Sequence, residues 1–132
     1  MSTVAAHRAA HLTGIAPQFL VDDLERAIAY YCDKLGFRLE FVYQSFYASV
    51  TRDGYEIHLK HGPRLVGDKE HREQNEHLDA YISVSGIRGL FSELEKSGAQ
   101  VIKPLEERPW RCLDFYVKDP DGYILCFSEP NA

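Results

Sequence analysis

Along residues 117–127, "VKDPDGYILCF", apolar positions alternate on both sides of a polar turn. A period of two marks strands with one buried face, and Asp119-Pro-Asp-Gly presets a type I turn, with Pro120 at its second position and Gly122 free to take positive φ. The pattern predicts a hairpin with runs ending at Lys118 and restarting at Tyr123. The middle of the chain repeats it, "RDGYEIHL" at 52–59 matching "PDGYILCF" at 120–127 in turn and alternation. Upstream of each copy, "IAPQFLVDDLERAIAYYCDKLGF" and "DAYISVSGIRGLFSELEKSGAQV" read alike: a short strand ending in Val, a helix closed by Gly, then another strand. In the first helix Leu24, Ala27, Ile28, Tyr31 and Leu35 share a face, with Asp22 or Asp23 as N-cap and Gly36 as stop. In the second, Ile87, Leu90, Phe91 and Leu94 do so, with Ser85 as cap and Gly98 as stop.

After each helix there is room for three strands, near 37–43, 46–52 and 55–60, and near 99–103, 112–118 and 123–128. The chain is therefore predicted to be α+β, with two βαβββ modules, about 14–62 and 77–130, joined by a polar loop over 62–76 and preceded by an arm over 1–13. Neither module can bury its sheet alone. Joined edge to edge into a curved mixed sheet, they put helices on one face and a cavity on the other. Alternation then assigns the faces. Ile15, Pro17, Phe19, Val21, Tyr55, Ile57, Leu59, Ala80, Ile82, Val84, Phe115, Val117, Tyr123, Leu125 and Phe127 are predicted core. Ala16, Gln18, Leu20, Glu56, His58, Lys60, Asp79, Tyr81, Ser83, Asp114, Tyr116, Ile124 and Cys126 are predicted to look into the cavity.

Composition narrows the class. The 132 residues suit one domain, and 45% hydrophobic with 27% charged is an ordinary soluble balance. No apolar run approaches the roughly 20 residues of a membrane span. The start lacks a secretion signal, and an odd count of three cysteines without CxxC spacing suits a reducing compartment, so a cytoplasmic protein is expected. A net charge of −5 speaks against nucleic acid and favours neutral or cationic ligands. There is no Ser-His-Asp spacing, no Gly-rich phosphate cradle and no basic stripe. His61, His71 and His77 fall on the connecting loop and are read as solvated.

The paired layout, with "DDLERAIAYYCDKLGF" in the first module and "DPDGYILCF" in the second, resembles the vicinal oxygen chelate superfamily of glyoxalases, extradiol dioxygenases and bleomycin resistance proteins. The resemblance runs from about Gly14 to Pro130. Metal-dependent members of such a family place ligands at four points, which correspond here to Ala16, His58, Asp79 and Cys126. Ala16 carries no donor atom. The bleomycin-resistance branch is the more similar: "IAPQF" resembles its "VP" strand, "IHL" its "LH", and "RPWRCLDFYVKDPDG" its "PWG" loop, with Arg111 in place of the Gly. The resemblance implies drug-binding aromatics at Tyr47, Tyr81 and Trp110.

The residues themselves support those positions, since flat rings facing a cavity stack on planar ligands and attract cations, while Glu56, Asp79 and Asp114 favour positive charge. The expectation is a binding protein with no catalytic residue, no cofactor and no metal. Tyr47, His58, Tyr81, Trp110 and Tyr116 are its candidate ligand contacts, and a planar or cationic antibiotic-type molecule, bleomycin-like in kind, is its candidate ligand. The resemblance further implies a homodimer in which two chains share each groove, so that Tyr47 meets Trp110 across subunits. The alternative is a metal-dependent lyase or dioxygenase holding a divalent ion with His58, Asp79 and either Cys126 or Glu129.

Overall fold

The structure, a computed structural model, describes residues 9–63 and 69–131. Residues 1–8 of the expected arm, 64–68 of the expected loop and the side chains of 69–71, His71 among them, lie outside the described residues. In chain order the elements are β1 (Gln18–Val21), α1 (Leu24–Ala29, continuing as a π-helical turn Tyr30–Lys34), β2 (Arg38–Tyr43), β3 (Tyr47–Arg52), β4 (Tyr55–His61), α2 (Lys69–Gln74), β5 (Ala80–Ser83), α3 (Ile87–Ser97), β6 (Gln100–Arg108), β7 (Cys112–Lys118) and β8 (Ile124–Pro130). They form two four-stranded mixed sheets, ordered β1-β4-β3-β2 and β5-β8-β7-β6, with no closed barrel among the described residues. In each, the first strand runs parallel to the last and the other pairings are antiparallel.

The helices begin and end for local reasons. Asp23 caps α1 by accepting from the Arg26 N–H at 3.0 Å, and Leu24, Ala27, Tyr31 and Leu35 are buried along its inner face. The cap on α3 differs from the sequence expectation. Gly86, not Ser85, is the N-cap, and its N–H and that of Ile87 both donate to Glu129 at the end of β8. A carboxylate from a strand more than 40 residues away does what a local serine was expected to do, which suits the positive end of the helix dipole.

One connected apolar cluster runs along the helix-facing sides of both sheets, from Phe19, Val21, Ile57 and Leu59 to Phe115, Val117, Leu125 and Phe127. Three expected core residues are absent from it. Ile15 and Pro17 precede the start of β1, Ile15 being exposed and Pro17 half-buried, and Tyr55, at the first position of β4 after the Asp53-Gly54 turn, is 78% exposed.

The hairpin turn at 119–122 joins the modules. Gly122 N–H donates to the Asp119 carbonyl at 3.0 Å, with Gly122 at φ 91°. The Asp119 carboxylate accepts from the N–H groups of Asp121 and Tyr123, both at 2.9 Å, and from the hydroxyl of buried Tyr31 at 2.8 Å. Burial pushes its carboxyl up to about 6. Tyr123 stacks on Phe19 with centroids 4.2 Å apart, and its hydroxyl takes the Leu20 N–H at 3.1 Å while donating to the Leu20 carbonyl at 2.9 Å. Asp121 accepts from Asp22 N–H at 3.0 Å. The open edge of β1 is thus closed by side chains of the second module, one way a sheet edge is protected.

The repeated Asp-Gly-Tyr of the first module makes no matching closure. By the strand registers, Phe19 corresponds to Ile82, so Tyr55 and Asp53 correspond to Tyr123 and Asp121, and Ser83 and Ser85 to Leu20 and Asp22. There the equivalent groups are separated by a cleft of about 780 Å³ lined by Asp53, Tyr55, Ser83 and Ser85. The Arg52 guanidinium spans the modules beside this cleft, bonding Glu93 at 2.8 and 3.0 Å and the Leu35 carbonyl at 2.9 Å. Gly36, at φ 75°, lies so close that a Cβ there would clash with the Arg52 guanidinium.

Candidate functional site

Residues paired across strands share a face, so the registers define the polar side of each sheet. On the first, Gln18, His58, Ser49 and Phe41 form one row, and Leu20, Lys60, Tyr47 and Tyr43 the next. On the second, Tyr81, Cys126, Tyr116 and Lys103 form a row beside Ser83, Ser128, Asp114 and Glu106. The faces follow the alternation read from the sequence.

On the first face a hydrogen-bond relay holds Tyr47 and His58. Gln18 Nε2 donates to the Tyr47 hydroxyl at 2.9 Å, which lies 2.7 Å from His58 Nδ1, while His58 Nε2 is 2.8 Å from Glu56 Oε1. The network assigns the proton to Nε2, facing the carboxylate, and leaves Nδ1 to accept from tyrosine. Around them lie Phe41, stacked on Tyr47 with centroids 6.4 Å apart, and Phe46, edge-on at 6.2 Å. Phe41 and Tyr43, paired with Ser49 and Tyr47, are exposed, as are Leu39 and Val42, paired with Val50 and Ala48 on the opposite face, and Phe46 in the turn that follows, so edge strand β2 carries exposed apolar side chains on both faces.

The second face is more charged and partly covered. Trp110 sits in the β6–β7 turn, where Arg111 N–H bonds the Arg108 carbonyl at 3.0 Å, and the residue is 61% exposed. The Arg108 guanidinium lies 4.8 Å from the centre of the Trp110 ring and 5.9 Å from that of Tyr116. Arg108 Nη2 bonds Glu76 at 2.7 Å, and Tyr116 donates its hydroxyl to the same carboxylate oxygen at 2.9 Å. That tyrosine bond, against the opposing effect of burial, holds the Glu76 carboxyl below its usual range. Tyr116 itself is pushed well above the usual phenol range, first by burial and then by Glu76.

Tyr116, Ile124 and Cys126 were expected to line an open cavity. They are on the expected face but buried, packed with Leu78 and Ile102. The expected exposed loop supplies the cover: part of it is helix α2, from which Arg72 pairs with Asp79 and Glu73 with Lys118, while Glu76 follows behind it. Among its described side chains, Arg72, Glu73 and Glu76 each meet a partner of opposite sign, respectively Asp79, Lys118 and Arg108.

The five candidate contacts therefore fall in three places. Tyr47 and His58 meet on the first sheet, and Trp110 and Tyr116 flank Arg108 on the second. Tyr81, hydrogen-bonded to Ser128 at 2.9 Å, lines the inter-module cleft. Sequence reading missed Arg108 and Glu76. The only available signal for Arg108 was its place two residues before the tryptophan on a strand.

The four family ligand points do not form a donor set for a metal within the chain. Ala16 has no donor, both His58 nitrogens are engaged, and Asp79 is held by Arg72 and the Ile124 N–H. The Cys126 thiol is buried, and that burial pushes it up to about 12. Glu129 caps α3. Among the described residues there is no group of three His, Cys, Asp or Glu side chains able to hold an ion, and no helix is long and apolar enough to cross a membrane.

The family model described as Glyoxalase/Bleomycin resistance protein/Dioxygenase superfamily matches residues 8–127. The bleomycin resistance protein of Geobacillus stearothermophilus is 27% identical over 128 residues, covering 86% of this chain and 93% of the relative. That of Staphylococcus aureus strain N315 matches to the same extent. A glyoxalase-related enzyme from Clostridium phytofermentans superposes with a TM-score of 0.74 at 18% identity, over 94% of this chain and 99% of that one. The bleomycin-binding protein of Streptomyces verticillus, solved in complex with copper(II)-bleomycin, superposes with a TM-score of 0.66 at 21% identity, over 93% and 98%. At these identities the solved structures establish the fold.

Proposed function

We propose, from the premise that the chain belongs to the Glyoxalase/Bleomycin resistance protein/Dioxygenase superfamily, that it binds and sequesters a planar or cationic antibiotic-type small molecule without altering it chemically. The observation that carries this reading is Trp110: an exposed ring in a turn over a carboxylate-rich sheet face, already accepting a flat cation, its own Arg108, at 4.8 Å. A surface that stacks guanidinium has the shape and electrostatics to stack a planar cationic ligand. The bleomycin resistance relatives support a ligand of that class. The poor fit of His58, Asp79 and Cys126 to a metal supports a metal-free protein over the lyase or dioxygenase alternative.

A homodimer completes the reading. The apolar edge at Leu39, Phe41, Val42, Tyr43 and Phe46 is suited to burial against a second copy, and exposed apolar surface of this kind marks interaction sites. Such a dimer would bring Tyr47 and His58 of one chain toward Trp110 of the other and make a groove lined from both sides.

Trp110 is the only tryptophan, so its emission reports on the turn alone. Titration with a bleomycin-type glycopeptide is expected to quench or shift that emission saturably. In Trp110→Ala, followed by calorimetry, affinity is expected to weaken by about 1 to 3 kcal/mol, the scale of an aromatic hot spot. Unchanged affinity in a folded variant would place the ligand elsewhere.

A further inference from the structure

Arg108 occupies a cage. Its guanidinium lies between Trp110 and Tyr116, with Nη2 bonded to Glu76 at 2.7 Å, Nη1 at 3.6 Å from Glu106 and Nε at 3.7 Å from Asp114. The Asp114 side chain is 2% exposed. Yet its Oδ1 and the Arg108 Nε have no hydrogen-bond partner, since 3.7 Å is too long for a bond between them. An unmatched lone pair on a buried carboxylate is costly, so native proteins leave few of them. Burial raises the Asp114 carboxyl above its usual range, which is the mark of a charge incompletely met. Lys103, 3.4 Å from Glu76 and 3.1 Å from Glu106, is the only other cation bonded at this cluster among the described residues, leaving three carboxylates against two cations. Two rings and a buried carboxylate are a cation-recognition set, and the resident cation fits it imperfectly.

We propose that this cage is a binding site for the cationic group of an organic ligand, a guanidinium or amidinium, and that Arg108 is a stand-in which the ligand's cation displaces. The proposal rests on the cation-binding reading above and assigns the cation a position. Arg108 is tethered to strand β6, and while it stacks on Trp110 and bonds Glu76 its Nε stands 3.7 Å from Asp114 Oδ1. A free guanidinium carries no such tether and can donate to Asp114 and Glu76 while keeping its face on the tryptophan. The displaced Arg108 side chain turns outward, past the exposed ring of Trp110. Arg108 thereby acts as a filter: a neutral planar ligand has no charge with which to replace it.

Methylguanidinium chloride is the probe, titrated against Trp110 emission with sodium chloride at equal ionic strength as the control. Arg108→Ala empties the cage and is expected to bind methylguanidinium at least about tenfold more tightly than the unaltered protein, on the scale of a cation–π contact with a charged partner. Adding Asp114→Asn to Arg108→Ala is expected to remove that gain. Equal affinity with and without Arg108, or a gain that survives Asp114→Asn, overturns the proposal. Because Arg108→Ala leaves a buried carboxylate uncompensated and can unfold the chain, the same question is put to the unaltered protein by NMR. The Arg108 Nε–H resonance is expected to move with methylguanidinium and not with sodium, and a stationary resonance at concentrations that shift Trp110 emission overturns the proposal. Methylguanidinium binding without glycopeptide binding keeps the cage and refutes the wider function. Glycopeptide binding with Arg108 unmoved does the reverse.

Discussion

Replacing Asp119 by Asn removes a buried charge while keeping the shape of the junction between modules. In the native fold the carboxyl is pushed up to about 6 from an ordinary 3.8, chiefly by burial, although Tyr31 and the turn N–H groups bond it. Between those values the folded chain holds a proton that the unfolded chain has released. The contribution of that proton is therefore fully present below the unfolded value, falls as pH rises, and is gone above about 6. Roughly two pH units at about 1.4 kcal/mol each give a loss of about 3 kcal/mol. Asn does not titrate, and its amide can still accept from the Asp121 and Tyr123 N–H groups while donating to the Tyr31 oxygen. Urea unfolding of both proteins between about pH 4 and about pH 7.5 isolates the effect, because carboxylates such as Glu76 and Glu93, whose lowered values act in the opposite sense, cancel in the difference. Asp119→Asn is expected to gain about 3 kcal/mol on the unaltered protein across that range. A difference that is flat, or that moves the other way, refutes the account of this junction.

The two Asp-Gly-Tyr turns are expected to respond unequally. Tyr123→Phe strips both partners from the Leu20 backbone and should cost about 1 to 3 kcal/mol in chemical unfolding, whereas Tyr55→Phe should stay within about 0.5 kcal/mol, and equal losses would contradict the asymmetry. Arg111 holds φ at 64°, a conformation that costs a residue with a side chain about 1 to 2 kcal/mol, so Arg111→Gly should stabilise by about 0.5 to 1 kcal/mol after the greater freedom of unfolded glycine is counted. A midpoint in urea that does not rise would show that the turn relaxes around arginine.

Much of the fold was legible because it rests on local periodicity. Alternation located the strands around both Asp-Gly-Tyr turns and sorted His58, Tyr81, Asp114 and Tyr116 to the polar faces, and the spacing Leu24, Ala27, Tyr31, Leu35 marked the buried side of α1. What was not legible depends on distant partners. Ser85 has the chemistry of a cap, but Glu129 arrives from β8 and takes the role. The charges of α2 and Glu76 resemble a solvated loop until Lys118, Asp79 and Arg108 are placed opposite them. Tyr55 and Tyr123 stand in the same local sequence, and only the packing of the modules distinguishes them. The candidate site was readable as residue types, Trp110 and Tyr116 among them. Its occupant was not, because Arg108 on a strand end resembles any surface arginine.

The central claim is that the protein holds an intact ligand without metal or chemistry, and native mass spectrometry of the protein mixed with metal-free bleomycin tests it in one spectrum. The account predicts a species with the mass of two chains plus bound ligand, no added metal, and a ligand that is released at its original mass. A spectrum showing only free chains, a stoichiometric metal on the protein, or a ligand whose mass has changed would contradict it.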